Sequence, residues 1–220
     1  MKKVFKSVLA VALLSVSVIS SQAFAADQKN EPAATTVTIA ATQNKDIQKK
    51  IDEINKKYAV GQEFSVEDSN FIKANTPAIP KVDSKTVTTF SVQTDKYYFI
   101  GDGYSSSSMS NVRVSGYATV DLGVINHTVS TNFNTFDLLH RSHAKLTNSV
   151  YFTAYGIIGS GGLVKIADFN IVNECSNTDS CYQGKTQNWS GVPTNYYISP
   201  KGTVSDSGSD FDIIPAISKI

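Results

Sequence analysis

Between Asn44 and Gly61 the apolar residues Ile47, Ile51, Ile54 and Tyr58 recur at spacings of four, three and four, which predicts one stripe along an amphipathic helix. Asn44 stands where a cap would, Asp46 falls in the first turn, and Lys56 and Lys57 fall in the last. Asp52–Lys56 and Glu53–Lys57 are i,i+4 pairs in the favourable order, each contributing about 0.3 kcal/mol. A shorter helix is expected next, with Ser65 and Asp68 as an imperfect capping box and Val66, Phe71 and Ile72 turned toward the first helix. Pro77 and Pro80 then stop it and mark a linker.

From residue 81 the period changes from helical to two. SKTVTTFSVQT is rich in Val, Thr and Phe, and DKYYFIGDG ends in a turn. In NVRVSGYATVDL, Val112, Val114, Ala118, Val120 and Leu122 alternate with Arg113, Ser115, Tyr117, Thr119 and Asp121. INHTVSTNF places Ile125, His127, Val129, Thr131 and Phe133 on one face. KLTNSVYFTAYGII and LVKIADFNIV flank Gly159-Ser160-Gly161-Gly162, a hairpin signal. Strands with one apolar and one wet face predict a mainly β fold: a β-sandwich or open barrel of antiparallel strands, preceded by a small N-terminal helical segment. From Gly184 the pattern loosens. There Trp189, Tyr196, Tyr197 and Ile198 could cover an open end of the core. Ile213, Ile214, Ile217 and Ile220 point to a final strand or strap that Pro215 confines to an edge.

The N-terminus adds a destination. Lys2, Lys3 and Lys6 precede an apolar run from Val8 to Ile19, and Ala23-Phe24-Ala25 has small residues at the two positions a signal peptidase reads. The expected organisation is a signal peptide over 1–25, a flexible leader over 26–44, a helical segment with its proline linker over 45–80, and an antiparallel β domain over 81–220. The product would be secreted, extracellular or associated with the cell envelope, and the short n-region fits a bacterial exporter. Losing Lys2, Lys3 and Lys6 from 20 basic residues leaves 17 against 19 acidic ones, a net charge of −2. That near-neutral balance argues against nucleic acid and against a polybasic membrane contact. In an oxidising compartment Cys175 and Cys181, the only two cysteines, are expected to pair as a disulfide. Closing so short a loop contributes about 2.4 kcal/mol.

Recognisable chemistry is sparse. There is no G-x-S-x-G elbow, H-E-x-x-H, Walker A or Rossmann glycine pattern. His140 and His143 are three apart and would share one side of a helical turn, a two-ligand start for a metal that His127 or Glu174 would have to complete. Asp206, Asp210 and Asp212, in DSGSDFD, offer oxygen ligands for Ca²⁺. Asp121, Asp137, Asp168 and Glu174 are the carboxylates a hydrolase would draw on. The stronger feature is tyrosine, with ten residues against one tryptophan. Tyr97, Tyr117, Tyr151 and Tyr155 lie on expected strands bordered by Asn, Ser and Thr, a composition suited to a glycan or protein partner. Three functions therefore compete. The first is a secreted non-enzymatic β-sandwich that binds a cell-surface, glycan or protein target. The second is a pore-forming or membrane-active toxin inserting the apolar hairpin 151–167, for which 26–80 would be a pro-region or regulator. The third is a secreted hydrolase with dispersed carboxylates.

Overall fold

The computed structural model describes residues 45–79, 93–106, 109–158, 162–206 and 209–220. The signal peptide, the leader, Asn44, Pro80, most of SKTVTTFSVQT and the hairpin tip 159–161 lie outside the described residues.

Helix α1 (Lys45–Lys57) forms where the apolar stripe predicts it, burying Ile51 and Ile54. Gly61, at φ 83°, takes a left-handed conformation that other residues resist, and its N–H bonds to the carbonyl of Lys165 at 2.9 Å. Helix α2 (Val66–Asn75) is capped by Ser65, whose Oγ accepts from Asp68 N at 3.2 Å. Ile72 is buried, whereas Val66 points to solvent and not toward α1 as its spacing predicts. As the first residue of the helix it is turned outward beside the cap.

The rest is two antiparallel sheets. β1 (Gln93–Ser105), β2 (Ser110–Leu122), β3 (Asn126–Asp137), β6 (Ser180–Ser190) and β9 (Ala216–Lys219) form a five-stranded sheet in the order β6-β3-β2-β1-β9. β4 (His143–Ile158), β5 (Gly162–Thr178), β7 (Pro193–Asp206) and β8 (Ser209–Ile213) form the other, in the order β5-β4-β7-β8. Their facing sides meet through Phe99, Val114, Val120 and Phe133 from one sheet and Leu146, Val150, Phe152 and Tyr196 from the other. The fold is an open β-sandwich preceded by two short helices. The alternation over 112–122 holds as read, but Ile125 lies exposed in the β2–β3 turn, one residue short of the ladder. The loosely patterned tail is also regular, since Gly184–Ser190 belongs to β6, Pro193–Asp206 to β7 and Ser209–Ile213 to β8. Pro215 falls between β8 and the edge strand β9, where no ladder N–H is needed.

Polar groups cross the core in pairs. Asn148 donates to the carbonyl of Cys181 at 2.6 Å and accepts from Thr135 Oγ1 at 2.5 Å, tying one sheet to the other. The hydroxyls of Tyr97 and Tyr196 meet between the sheets, and Tyr196 donates to Asp95, which also faces Lys219 Nζ at 2.6 Å. Burial pushes the Tyr97 phenol up to about 12. The disulfide Cys175–Cys181 lies on the β5–β6 corner, where the chain leaves one sheet for the other. It links two strands, β5 and β6.

The helices cover the outer face of the four-stranded sheet. Ile51, Ile54, Phe64 and Ile72 pack on Tyr155, Leu163 and Tyr197. Asn55 accepts from the Tyr155 hydroxyl at 2.9 Å, while Lys165 Nζ donates to the Asn55 carbonyl at 2.7 Å. β4 is thus buried on both faces, as a strand between two apolar layers must be.

Candidate binding surface

With helices over one sheet, the outer face of the five-stranded sheet is the broad surface left to solvent among the described residues. Strand alternation decides what it displays. Each buried Val, Phe or Ala of β2 and β3 sends its neighbour outward, and those neighbours are mostly Ser, Thr, Asn and Tyr. The register aligns Tyr98, Tyr117, Asn132 and Gly184 across β1, β2, β3 and β6. The next row is Ile100, Ser115, Asn134 and Tyr182, and on the other side lie Lys96, Thr119, Ser130 and Thr186. Four strands at about 4.8 Å spacing give a platform about 14 Å across.

Aromatic rings stand on this platform. Tyr98 and Tyr117 pack with centroids 5.3 Å apart, and Lys96 Nζ lies 4.4 Å from the Tyr117 centroid. Tyr117 is 40% exposed, Tyr182 59% and Tyr104, near the end of β1, 68%. Charge on the face is balanced or engaged. Arg113 grips Asp102 in a bidentate pair, Nε to Oδ1 at 2.7 Å and an Nη to Oδ2 at 2.9 Å. The hydrogen bond from Arg113 holds the Asp102 carboxyl below its ordinary range. Asp121 accepts from Thr94 at 2.7 Å and Thr128 at 3.1 Å. Ser130 and Thr186 join their hydroxyls at 2.9 Å, and Asn134 donates to Ser180 at 2.9 Å, so the polar side chains are held in a ladder.

The four tyrosines expected to form one binding row are separated. Tyr117 is on the wet face, but Tyr97 points into the core because it occupies the opposite parity of β1. Tyr155 is fully buried under α1, and Tyr151 is partly covered there. Helix docking is the physical reason: it turns the wet face expected of β4 into a second core. For the same reason residues 152–156 and 163–165 of hairpin 151–167 are buried, whereas Ile157 is exposed. Tyr182 was missed because its segment reads as a polar turn around the cysteines. Its signal was the alternation of Tyr182, Gly184, Thr186 and Asn188 with Cys181 and Gln183.

The histidines and tail aspartates do not converge. His143 stands on β4, not in a helical turn, with Nε2 3.0 Å from Asp137 Oδ2 and Nδ1 2.8 Å from Asp206 Oδ2. Both ring nitrogens are thereby taken up. Burial opposes ionisation of Asp206, but hydrogen bonds from His143 and the Ala144 N–H outweigh it and lower its pKa. His140 lies in an exposed turn at φ 54°, facing Asp179 at 3.0 Å. Asp212 accepts from Lys201 and Thr203, and Asp210 is exposed on the short strand β8. Among the described residues no group of three His, Cys, Asp or Glu is arranged to hold a metal ion. The carboxylates weighed for hydrolysis are met separately as well: Asp137 by His143, Asp168 by Lys165, Glu174 by Lys145. Comparison with known proteins finds no family model, no curated relative and no solved structure that matches this chain.

Proposed function

We propose that the chain is a secreted, non-enzymatic β-sandwich that holds an extended, uncharged glycan of a cell surface on the outer face of its five-stranded sheet. The observation that carries this reading is the aligned platform of Tyr98, Tyr117 and Tyr182 among Ser, Thr and Asn. Aromatic rings offer apolar faces to the C–H side of sugar rings, and the hydroxyl and amide ladder meets their polar edges. Charges that cancel locally favour a neutral polymer over an acidic one. The separate engagement of the candidate carboxylates and histidines supports binding over catalysis.

The test is co-sedimentation of the full exported chain with insoluble neutral polysaccharides and with whole cell-wall preparations. Retention is expected, and Tyr117→Ala should weaken it about tenfold, or about 1.4 kcal/mol. Retention that survives removal of both Tyr98 and Tyr117 would exclude this face. Release of soluble sugar during the incubation would favour a hydrolase.

A further inference from the structure

The rings on the sheet face are placed at a set distance across the strands. Tyr117 on β2 and Gly184 on β6 share one cross-strand row, with Asn132 of β3 between them. Glycine weakens a strand interior and often marks a close approach. The backbone does not demand it here, since Gly184 is not among the residues with positive φ. Its missing side chain is used instead by Tyr182: a Cβ at Gly184 would lie 3.0 Å from the Tyr182 hydroxyl and 3.2 Å from its ring. The Tyr182 side chain therefore lies along β6 and reaches into the row of Tyr117, while staying 59% exposed. Two strand steps of about 4.8 Å place it about 10 Å from Tyr117. Asn132 is exposed in the gap, and the row carries no charged residue.

That separation selects among neutral polymers. Sugar rings joined equatorially at both ends form a flat ribbon, in which each ring is turned over relative to the last and every second ring presents the same face. One ring advances the ribbon by about the same 4.8 Å as one strand step, so every second ring falls in line with every second strand. Axial linkages curl the chain away from the sheet before a second contact is made.

Resting on the platform reading above, we propose that the occupant is a flat, equatorially linked neutral glycan running across the strands, with alternate rings on Tyr117 and Tyr182. The shortest fully held segment is then about three rings, the middle one meeting the Asn132 amide. Gly184 is a positioning residue, because its missing side chain lets Tyr182 lie down into the row.

The test is calorimetric titration of the full exported chain with cello- and chito-oligosaccharides of increasing length, beside malto-oligosaccharides as the axial series. Affinity should step up about tenfold between the two-ring and three-ring members of the flat series, with no step in the axial one. Tyr182→Ala should erase the step and leave two-ring affinity unchanged. Gly184→Thr should erase it too, because the new side chain lifts the Tyr182 ring, while its thermal midpoint holds or rises on a better strand former. A step that survives both variants, an equal step in the axial series, or silence of every oligosaccharide would overturn the proposal. The platform reading would still stand in those cases if the chain co-sediments with a neutral polysaccharide and Tyr117→Ala weakens retention. Retention indifferent to the loss of both Tyr98 and Tyr117 would remove the platform, and the proposal with it.

Discussion

Asn55→Ala tests whether α1 is part of the folded unit or a detachable segment lying on it. Asn55 is buried at the crossing of α1 with β4, accepting from Tyr155 at 2.9 Å and donating to Thr153 at 3.3 Å. Truncation strands the Tyr155 hydroxyl in a fully buried position, at a cost of about 1–3 kcal/mol. Thr153 keeps Asp168 as a partner, and the bond from Lys165 goes to the Asn55 carbonyl, so neither adds much. Alanine returns about 0.5 kcal/mol of helix propensity. The net loss is expected near ~2 kcal/mol, about 6 °C in Tm for a unit of this size. Tyr155→Phe alone strands the Asn55 amide oxygen and should cost about 1–2 kcal/mol. The double variant removes both partners together. Denaturant unfolding of the four proteins should show the double falling short of the sum by about 1 kcal/mol or more. Strict additivity, or an Asn55→Ala chain as stable as the parent, would refute integral docking and return α1 to the status of a removable segment.

The remaining expectations are quicker to check. Asp52→Asn should stabilise the protein at neutral pH, because burial raises the carboxyl pKa despite Tyr197 and the nearby lysines; the gain should vanish below about pH 4, where the unfolded carboxyl is protonated too. Tyr97, Tyr155, Tyr196 and Tyr197 are all raised by burial, so the folded state keeps protons that the unfolded state releases, and stability should fall as pH climbs through about 10. Tyrosinate absorbance would register these residues only as the fold opens. Reduction of Cys175–Cys181 should lower stability by about 2 kcal/mol without abolishing the fold, measured by denaturant midpoint with and without reductant. Liposomes should retain their dye in the presence of the full chain, since Phe152, Ala154 and Tyr155 on one strand of hairpin 151–167 and Leu163 on the other are already packed in the two cores.

What was legible in the sequence follows from how local each signal is. The α1 stripe and the alternation of β2 and β3 declare themselves in single stretches, because one element decides one buried face. The disulfide was readable from the count of two cysteines and the expected oxidising compartment. β4 misled because both of its faces are apolar, and only the docking of α1, about 100 residues away, shows which partner each face meets. The same long-range contact removed Tyr155 from the binding row. Tyr97 was misplaced for a smaller reason: in QTDKYYFIG two adjacent tyrosines take opposite parities, and Asp95 on the buried side disguises which is inward. That Asp95 is tolerated there reflects Lys219 and Tyr196, both far along the chain.

Hydroxyl-radical footprinting of the tyrosines tests the binding face most directly. In the free chain Tyr104, Tyr117 and Tyr182 should oxidise readily, while Tyr97, Tyr155, Tyr196 and Tyr197 stay inert. Bound to a retained neutral polysaccharide, Tyr117 and Tyr182 should lose most of that reactivity together. If both oxidise as fast on the polymer-bound protein as on the free one, the polymer is held elsewhere and the platform is not the binding surface.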